Sequence, residues 1–219
     1  MELSASLFPA VGLWILGLGL LPLYWLAARW ADFARLQREG VSGAYFGSVV
    51  AVIVLWLLRT EIQPGLVWHL SGVVFLTLAW GWSLALLGGA VAQAALVLAD
   101  VHDWVSVLPT LWVLVVLPAS LTQLVLGLVR AWLPKHFFIY VFINAFFCGA
   151  LMAAVMVGSS VLLLLAAGHE WGSLRDGVVS LLPLMLFPEA FLNGAVITVL
   201  AGLRPEWVWS FRDEEYLHR

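Results

Sequence analysis

Residues 62–99, IQPGLVWHLSGVVFLTLAWGWSLALLGGAVAQAALVLA, run for 38 positions without one Asp, Glu, Lys or Arg. A helix needs about 20 apolar residues to cross the hydrocarbon core of a bilayer, so this stretch is too long for one span and long enough for two. Gly81, inside LAWGWS, is where such a run can turn, and the segment reads as a tight pair of antiparallel helices. Working outward, uncharged stretches of 26 residues lie between Glu2 and Arg29, 19 between Glu39 and Arg59, 26 between Asp103 and Arg130, and 34 between Lys135 and Glu170. Each reads as one helix. A last stretch of 27 residues, Asp176 to Arg204, is interrupted only by Glu189 and carries Pro183 and Pro188, which a transmembrane helix tolerates as kinks. The expected fold is an all-α integral membrane bundle of about seven transmembrane helices.

Composition agrees with that reading. Of 219 residues, 63% are apolar and 11% charged, and the mean hydropathy is +1.03. A soluble domain averages roughly 45–50% apolar and about 25% charged, so most of this surface must face lipid. A single cysteine, Cys148, excludes a disulfide framework, and the lack of a basic block excludes a nucleic-acid partner. With seven spans, positive-inside counting places eight of the ten Lys and Arg residues on one side and only Arg59 and Arg175 on the other. The N-terminus is therefore expected outside and the C-terminus in the cytoplasm. The chain reads as a single transmembrane domain, 1–219, with a short cytoplasmic tail at 204–219. The first helix lacks the basic start and small-residue cleavage site of a signal peptide, so it is expected to be retained, with Glu2 at the outer surface. Trp30, Trp68, Trp104, Trp132, Trp171, Trp207 and Trp209 sit near span ends, as interfacial anchors do.

In that topology the outer face collects Glu2, Glu61, Asp100, Asp103, Glu170 and Asp176 with His69, His102 and His169. Imidazole and carboxylate together suit divalent first-row metals. Asp100, His102 and Asp103 cluster in ADVHD, as a polar turn or as part of a metal site. His69 starts an otherwise apolar span and needs a partner there, either a ligand or a backbone carbonyl. The third and fourth spans are adjacent, so their outer ends should approach within about 10 Å. His69 and His102 could then share one ion, with Asp100 or Asp103 and the Met1–Glu2 end completing it. Glu189 lies near mid-membrane with Asn193 one turn on, the pattern of a polar clamp to a neighbouring helix. Asn144, Gln93 and Gln123 read as further interhelical glue. No GxxxxGK[ST], HExxH or GxSxG motif occurs, so energy for active transport must come from a partner or an ion gradient.

Four stretches resemble a known family in order and spacing. IQPGLVWHLSG is similar to the segment ending in HLLG of the CbiM/NikM permeases, the substrate-capturing membrane components of energy-coupling factor transporters for cobalt and nickel. QAALVLADVHD stands in the place of that family's QALLFGDGG, LPKHFFIYVFINAFFCGA resembles its LP…FVYIFVNAFF helix, and FPEAFLNGAVITVLAGLRPEWVWSF resembles its closing FPEAFLNG…RPEWV segment. Together these cover roughly residues 62–211. The resemblance implies a helical bundle in the bacterial inner membrane that binds a divalent transition metal (cobalt, nickel or zinc) as substrate, beside a transmembrane coupling subunit and cytoplasmic ATPases. The family's ligands come from a Met-His start and the histidine of HLLG. His69 matches that histidine. The start here is Met1, Glu2, which departs from the pattern, as ADVHD departs from the GDGG glycines.

The leading expectation is thus a metal-capturing permease with Met1, Glu2, His69, Asp100, His102 and Asp103 as candidate ligands. A non-transporting membrane subunit that keeps the permease fold is the alternative. Haem held between paired histidines is a third, weakened by the absence of a second histidine deep in the bundle.

Overall fold

The computed structural model describes residues 1–216. Strand β1, Glu2–Leu3, opens the chain, followed by a single 3₁₀ turn and helix α1, Ala10–Trp30. A one-turn helix at Phe33–Leu36 leads to α2, Val41–Leu57. A hairpin of β2, Thr60–Gln63, and β3, Leu66–Trp68, precedes α3, Val73–Trp80, and α4, Trp82–Leu98. Two long helices follow, α5 over Val107–Trp132 and α6 over Phe137–Ala166. Each contains π-helical turns, at Leu111–Val116 and Tyr140–Phe147. A short helix, Trp171–Gly177, enters α7, Leu182–Leu203. Four helical stretches are long and apolar enough to cross a membrane: α1, α5, α6 and Trp171–Leu203. The chain is a multi-pass, essentially all-α membrane protein.

The 62–99 stretch corrects one expectation. Gly81 does break the run, with φ 84°, and α3 and α4 pack on each other around it. The first half, however, is not a spanning helix. Pro64 and Gly65 turn the β hairpin, and only eight residues of α3 are helical, about 12 Å at 1.5 Å per residue. Every residue of α3 is buried, so its free backbone ends need partners inside the protein. They have them. At the N-terminal end, Phe75 N–H donates to Asn193 Oδ1 at 2.8 Å and Ser71 N–H donates to Glu189 Oε1, both acceptors on α7. At the other end, Ala79 O accepts from Trp209 N–H at 2.9 Å and Arg35 Nη1 at 3.1 Å, and Leu78 O accepts from Ser210 N–H and Oγ. The tail after α7 is therefore a packed cap, with Ser210 and Phe211 buried.

The second correction is the N-terminus. Glu2, expected at the surface, is 6% exposed because β1 joins the hairpin as a third antiparallel strand, order β1-β3-β2, with Glu2 opposite Val67 and Leu3 opposite Leu66. Leu3 N–H donates to Thr110 Oγ1 on α5 and Ser4 N–H to Gly65 O, which fixes the strand from both sides.

Helices α6 and α7 pack at Gly149, where an added Cβ would lie 2.7 Å from the Glu189 carbonyl oxygen and 3.0 Å from Ala190 Cα. Both obstacles are backbone, so neither can rotate away. Gly149→Ala is expected to destabilise the protein by about 2 kcal/mol, the range of core overpacking, in denaturant titrations in detergent.

Candidate metal centre

Glu2 is the centre of the polar cluster at the sheet end of the bundle. Its Oε1 lies 3.1 Å from His69 Nε2, and its Oε2 lies 2.6 Å from His102 Nε2 and 3.2 Å from Arg59 Nη1. Three different elements deliver these groups. His69 ends the extended segment after β3, His102 follows the turn that ends α4, and Arg59 sits between α2 and β2. Burial pushes the Glu2 carboxyl up, but the groups around it, His102 first, outweigh that and hold it well below the usual carboxylate range.

His69 is completely buried, against Trp56 on one side. Burial, and the nearby terminal amine, push its pKa down to about 4 despite Glu2, so the ring is neutral at pH 7. Its Nδ1 lies 3.0 Å from the Leu70 carbonyl. The carbonyl and the carboxylate both only accept, but only the Nδ1 contact has hydrogen-bond geometry, so in the neutral ring Nδ1 carries the proton and Nε2 is a bare lone pair. That lone pair faces an ionised carboxylate oxygen, and neither atom has a hydrogen-bond partner among the described residues. Two buried lone pairs repel at that distance unless a cation joins them. Two donors on one metal at about 2.1 Å stand roughly 3.0–3.4 Å apart, which spans the observed separation. The Nδ1–H to carbonyl bond is the outer contact that metal-bound histidines use to fix their tautomer.

His102 differs. Its Nδ1 is 3.0 Å from Gln93, whose carboxamide can present either end, and its Nε2, 2.6 Å from Glu2 Oε2, makes no hydrogen bond of regular geometry among the described residues. Gln93 therefore serves the site, not an interhelical clamp. Met1 is fully buried beside the cluster, its thioether 3.2 Å from Ser160 Oγ. Burial lowers its terminal amine to about 6, against the pull of Glu2 and Glu189. At neutral pH that amine is an uncharged nitrogen donor.

The other candidates lie apart. Asp100 is exposed at φ 54°, closing α4 with Asp100 N–H on Val97 O and Val101 N–H on Leu96 O, the hydrogen-bond pattern in which glycine is the usual residue. Asp103 is exposed and accepts from Ser106 Oγ. It stands on the rim of a cavity of about 410 Å³ that reaches Glu2, Arg59 and His102. Among the described residues no three His, Cys, Asp or Glu side chains converge on one point. His69 and His102 instead meet opposite oxygens of one carboxylate. His169 is bonded to Leu7 O. The buried amide of Asn144 and the Gln123 oxygen have no partner among the described residues, so the glue expected of them is not formed.

Arg59 was not singled out from sequence, although it is one of only two basic residues counted on the ligand-rich side. Glu189 and Asn193 do form the expected clamp. Glu189 Oε2 accepts from Ser71 Oγ at 3.1 Å and from Asn193 Nδ2 at 3.2 Å, and this fixes the segment two residues beyond His69.

No protein-family model and no curated relative matches the chain. Solved structures do. A truncated transition metal transporter superposes with a TM-score of 0.76 at 13% identity, over 92% of this chain and 99% of that one. This chain has that transporter's fold. A second transition metal transporter structure gives 0.75 at 14% identity, with 93% of each chain covered. The shared architecture runs through nearly the whole length of both.

Proposed function

We propose that this protein is the substrate-capturing membrane permease of a divalent transition-metal uptake system, cobalt, nickel or zinc being the cargo. The observation that carries the reading is the neutral His69 ring, its Nε2 lone pair turned onto the Glu2 carboxylate inside a buried pocket. The fold shared with transition metal transporters supports it. In this reading His69 Nε2, Glu2 Oε1 and the Met1 amine bind the ion. His102 orients the carboxylate through its other oxygen or joins the ligand set. Asp103, and Asp100 farther out, collect cations at the surface.

The sheet end faces outside the bacterial inner membrane, in keeping with the eight-to-two basic asymmetry. A transmembrane coupling subunit and cytoplasmic ATPases energise import, since the chain itself carries no phosphate-binding loop. The alternative of a non-transporting subunit draws on the Arg59–Glu2 pair, which compensates the carboxylate without a metal. Uptake of nickel and cobalt isotopes separates the two. Cells producing this chain with its coupling partners should accumulate metal above cells lacking the chain, and equal uptake would favour the alternative.

Binding should also depend on pH in a specific way. Ligation needs free-base nitrogens. An ordinary terminal amine near 8 would already hold a proton at neutrality, whereas the Met1 amine stays free down to about 6 and His69 down to about 4. Affinity is therefore expected to be flat just above neutrality and to fall about tenfold per unit below pH 6, as each ion displaces one proton. Calorimetric titrations across that range measure it.

A further inference from the structure

Arg59 lies on the open side of the site. It lines the cavity, with its side chain 32% exposed, while His69 lies behind Glu2 and is fully buried. Its guanidinium is fixed at both ends, Nη1 on Glu2 Oε2 at 3.2 Å and Nη2 on the Val101 carbonyl at 3.1 Å. The fork thus ties the N-terminal strand to the loop that presents His102. Glu61 and Asp103 also face this cavity, but each is exposed and already accepts a hydrogen bond, from Gly65 N–H and Ser106 Oγ. Glu2 is the buried anion of the site, and Arg59 is its counter-charge.

Resting on the reading above, we propose that Arg59 is a specificity-determining residue that makes this a nitrogen-selective site. By cancelling the charge of Glu2 from Oε2, which it shares with His102, it denies an ion the anionic grip that hard cations require. Calcium and manganese bind through carboxylate oxygens, often both of one group, and depend on net negative charge. Nickel, cobalt and zinc accept neutral nitrogen and keep His69 and the Met1 amine whatever Arg59 does. A lysine could replace the charge, but as a single point without the planar fork that also holds Val101.

The test is metal binding to the purified full-length protein and to Arg59→Gln, by calorimetry with nickel and by displacement of nickel with manganese. A dication at about 5 Å from a guanidinium is disfavoured on the order of tenfold even with the dielectric of water. In Arg59→Gln nickel affinity should therefore rise about tenfold. Manganese affinity should rise about a hundredfold, since a hard cation depends more on the net negative charge that Arg59 cancels, so that the nickel-to-manganese ratio falls about tenfold. Arg59→Lys keeps a charge on Oε2 and should retain the wild-type ratio, which serves as an independent check if the glutamine variant is poorly folded.

If the wild type binds nickel and Arg59→Gln leaves the ratio unchanged or raised, the inference fails while the proposed function stands. Loss of the ratio in Arg59→Lys overturns it equally. Binding by neither the wild type nor the variants overturns both. Binding by Arg59→Gln alone also overturns both, since nickel should be held by its nitrogens with Arg59 in place.

Discussion

Glu189→Leu, which replaces the carboxylate by an apolar side chain, is expected to destabilise the protein by about 3–5 kcal/mol and to abolish metal binding, whereas the near-isosteric Glu189→Gln should fold and bind close to wild type. Three donors converge on this carboxylate: Ser71 N–H, Ser71 Oγ and Asn193 Nδ2. All are buried, and each orphaned donor costs about 1–3 kcal/mol. Leucine leaves the Ser71 N–H and hydroxyl without an acceptor, while Asn193 Nδ2 keeps only the residue 189 carbonyl. It also removes the anchor of residue 71, and with it the placement of His69 two residues earlier. Glutamine keeps one carbonyl oxygen for Ser71 N–H, and its amide can donate to the Ser71 hydroxyl; the donor clash that remains, with Asn193, is a single one. Thermal melts in detergent together with nickel titrations distinguish the two variants. If Glu189→Leu is as stable as the wild type, α3 does not depend on its capping from α7.

That capping marks the limit of what patterning reveals. The apolar character of α5, α6 and α7 is visible as long runs, broken only by Glu189 among charged residues until Arg130 near the end of α5, because those helices satisfy their own backbone and need mainly apolar side chains. The 62–80 segment has the same composition and a different structure. Its Pro64–Gly65 turn, the left-handed Gly72 and the eight-residue α3 are stable only because Asn193, Glu189, Arg35 and the tail supply hydrogen bonds from far along the chain. Nothing local in 62–80 encodes those partners. Glu2 is a similar case. A charged second residue reads as surface until β1 pairs with β3 and draws it inward. His69 was legible from the cost of an ionisable group in an apolar run, and Glu189 with Asn193 from the same argument. His102 was legible only as part of a polar turn that also holds Asp100 and Asp103, and spacing alone could not separate the histidine facing inward from the two aspartates facing solvent. Arg59 carried no signal beyond being a rare cation on the ligand-rich side.

The second large effect concerns His69 itself. His69→Ala removes the neutral imidazole whose tautomer the Leu70 carbonyl fixes, and leaves Glu2 Oε1 facing an apolar void. Loss of a direct ligand should exceed the 10- to 100-fold cost of losing an outer-shell contact, so affinity is expected to fall at least about a hundredfold. His102→Ala, which leaves His69 and Arg59 in place, should cost less, about tenfold. Asp100→Ala, at an exposed turn, should leave affinity unchanged.

Calorimetry of nickel, cobalt and zinc binding to the purified wild type and to His69→Ala, side by side in one detergent at about pH 7.5, where the ligand nitrogens are free, tests metal capture most directly. The account predicts one tightly bound divalent ion per wild-type chain and at least about a hundredfold weaker binding in His69→Ala with an unchanged fold. A wild type that binds none of the three, or a His69→Ala variant that binds them equally well, would contradict it.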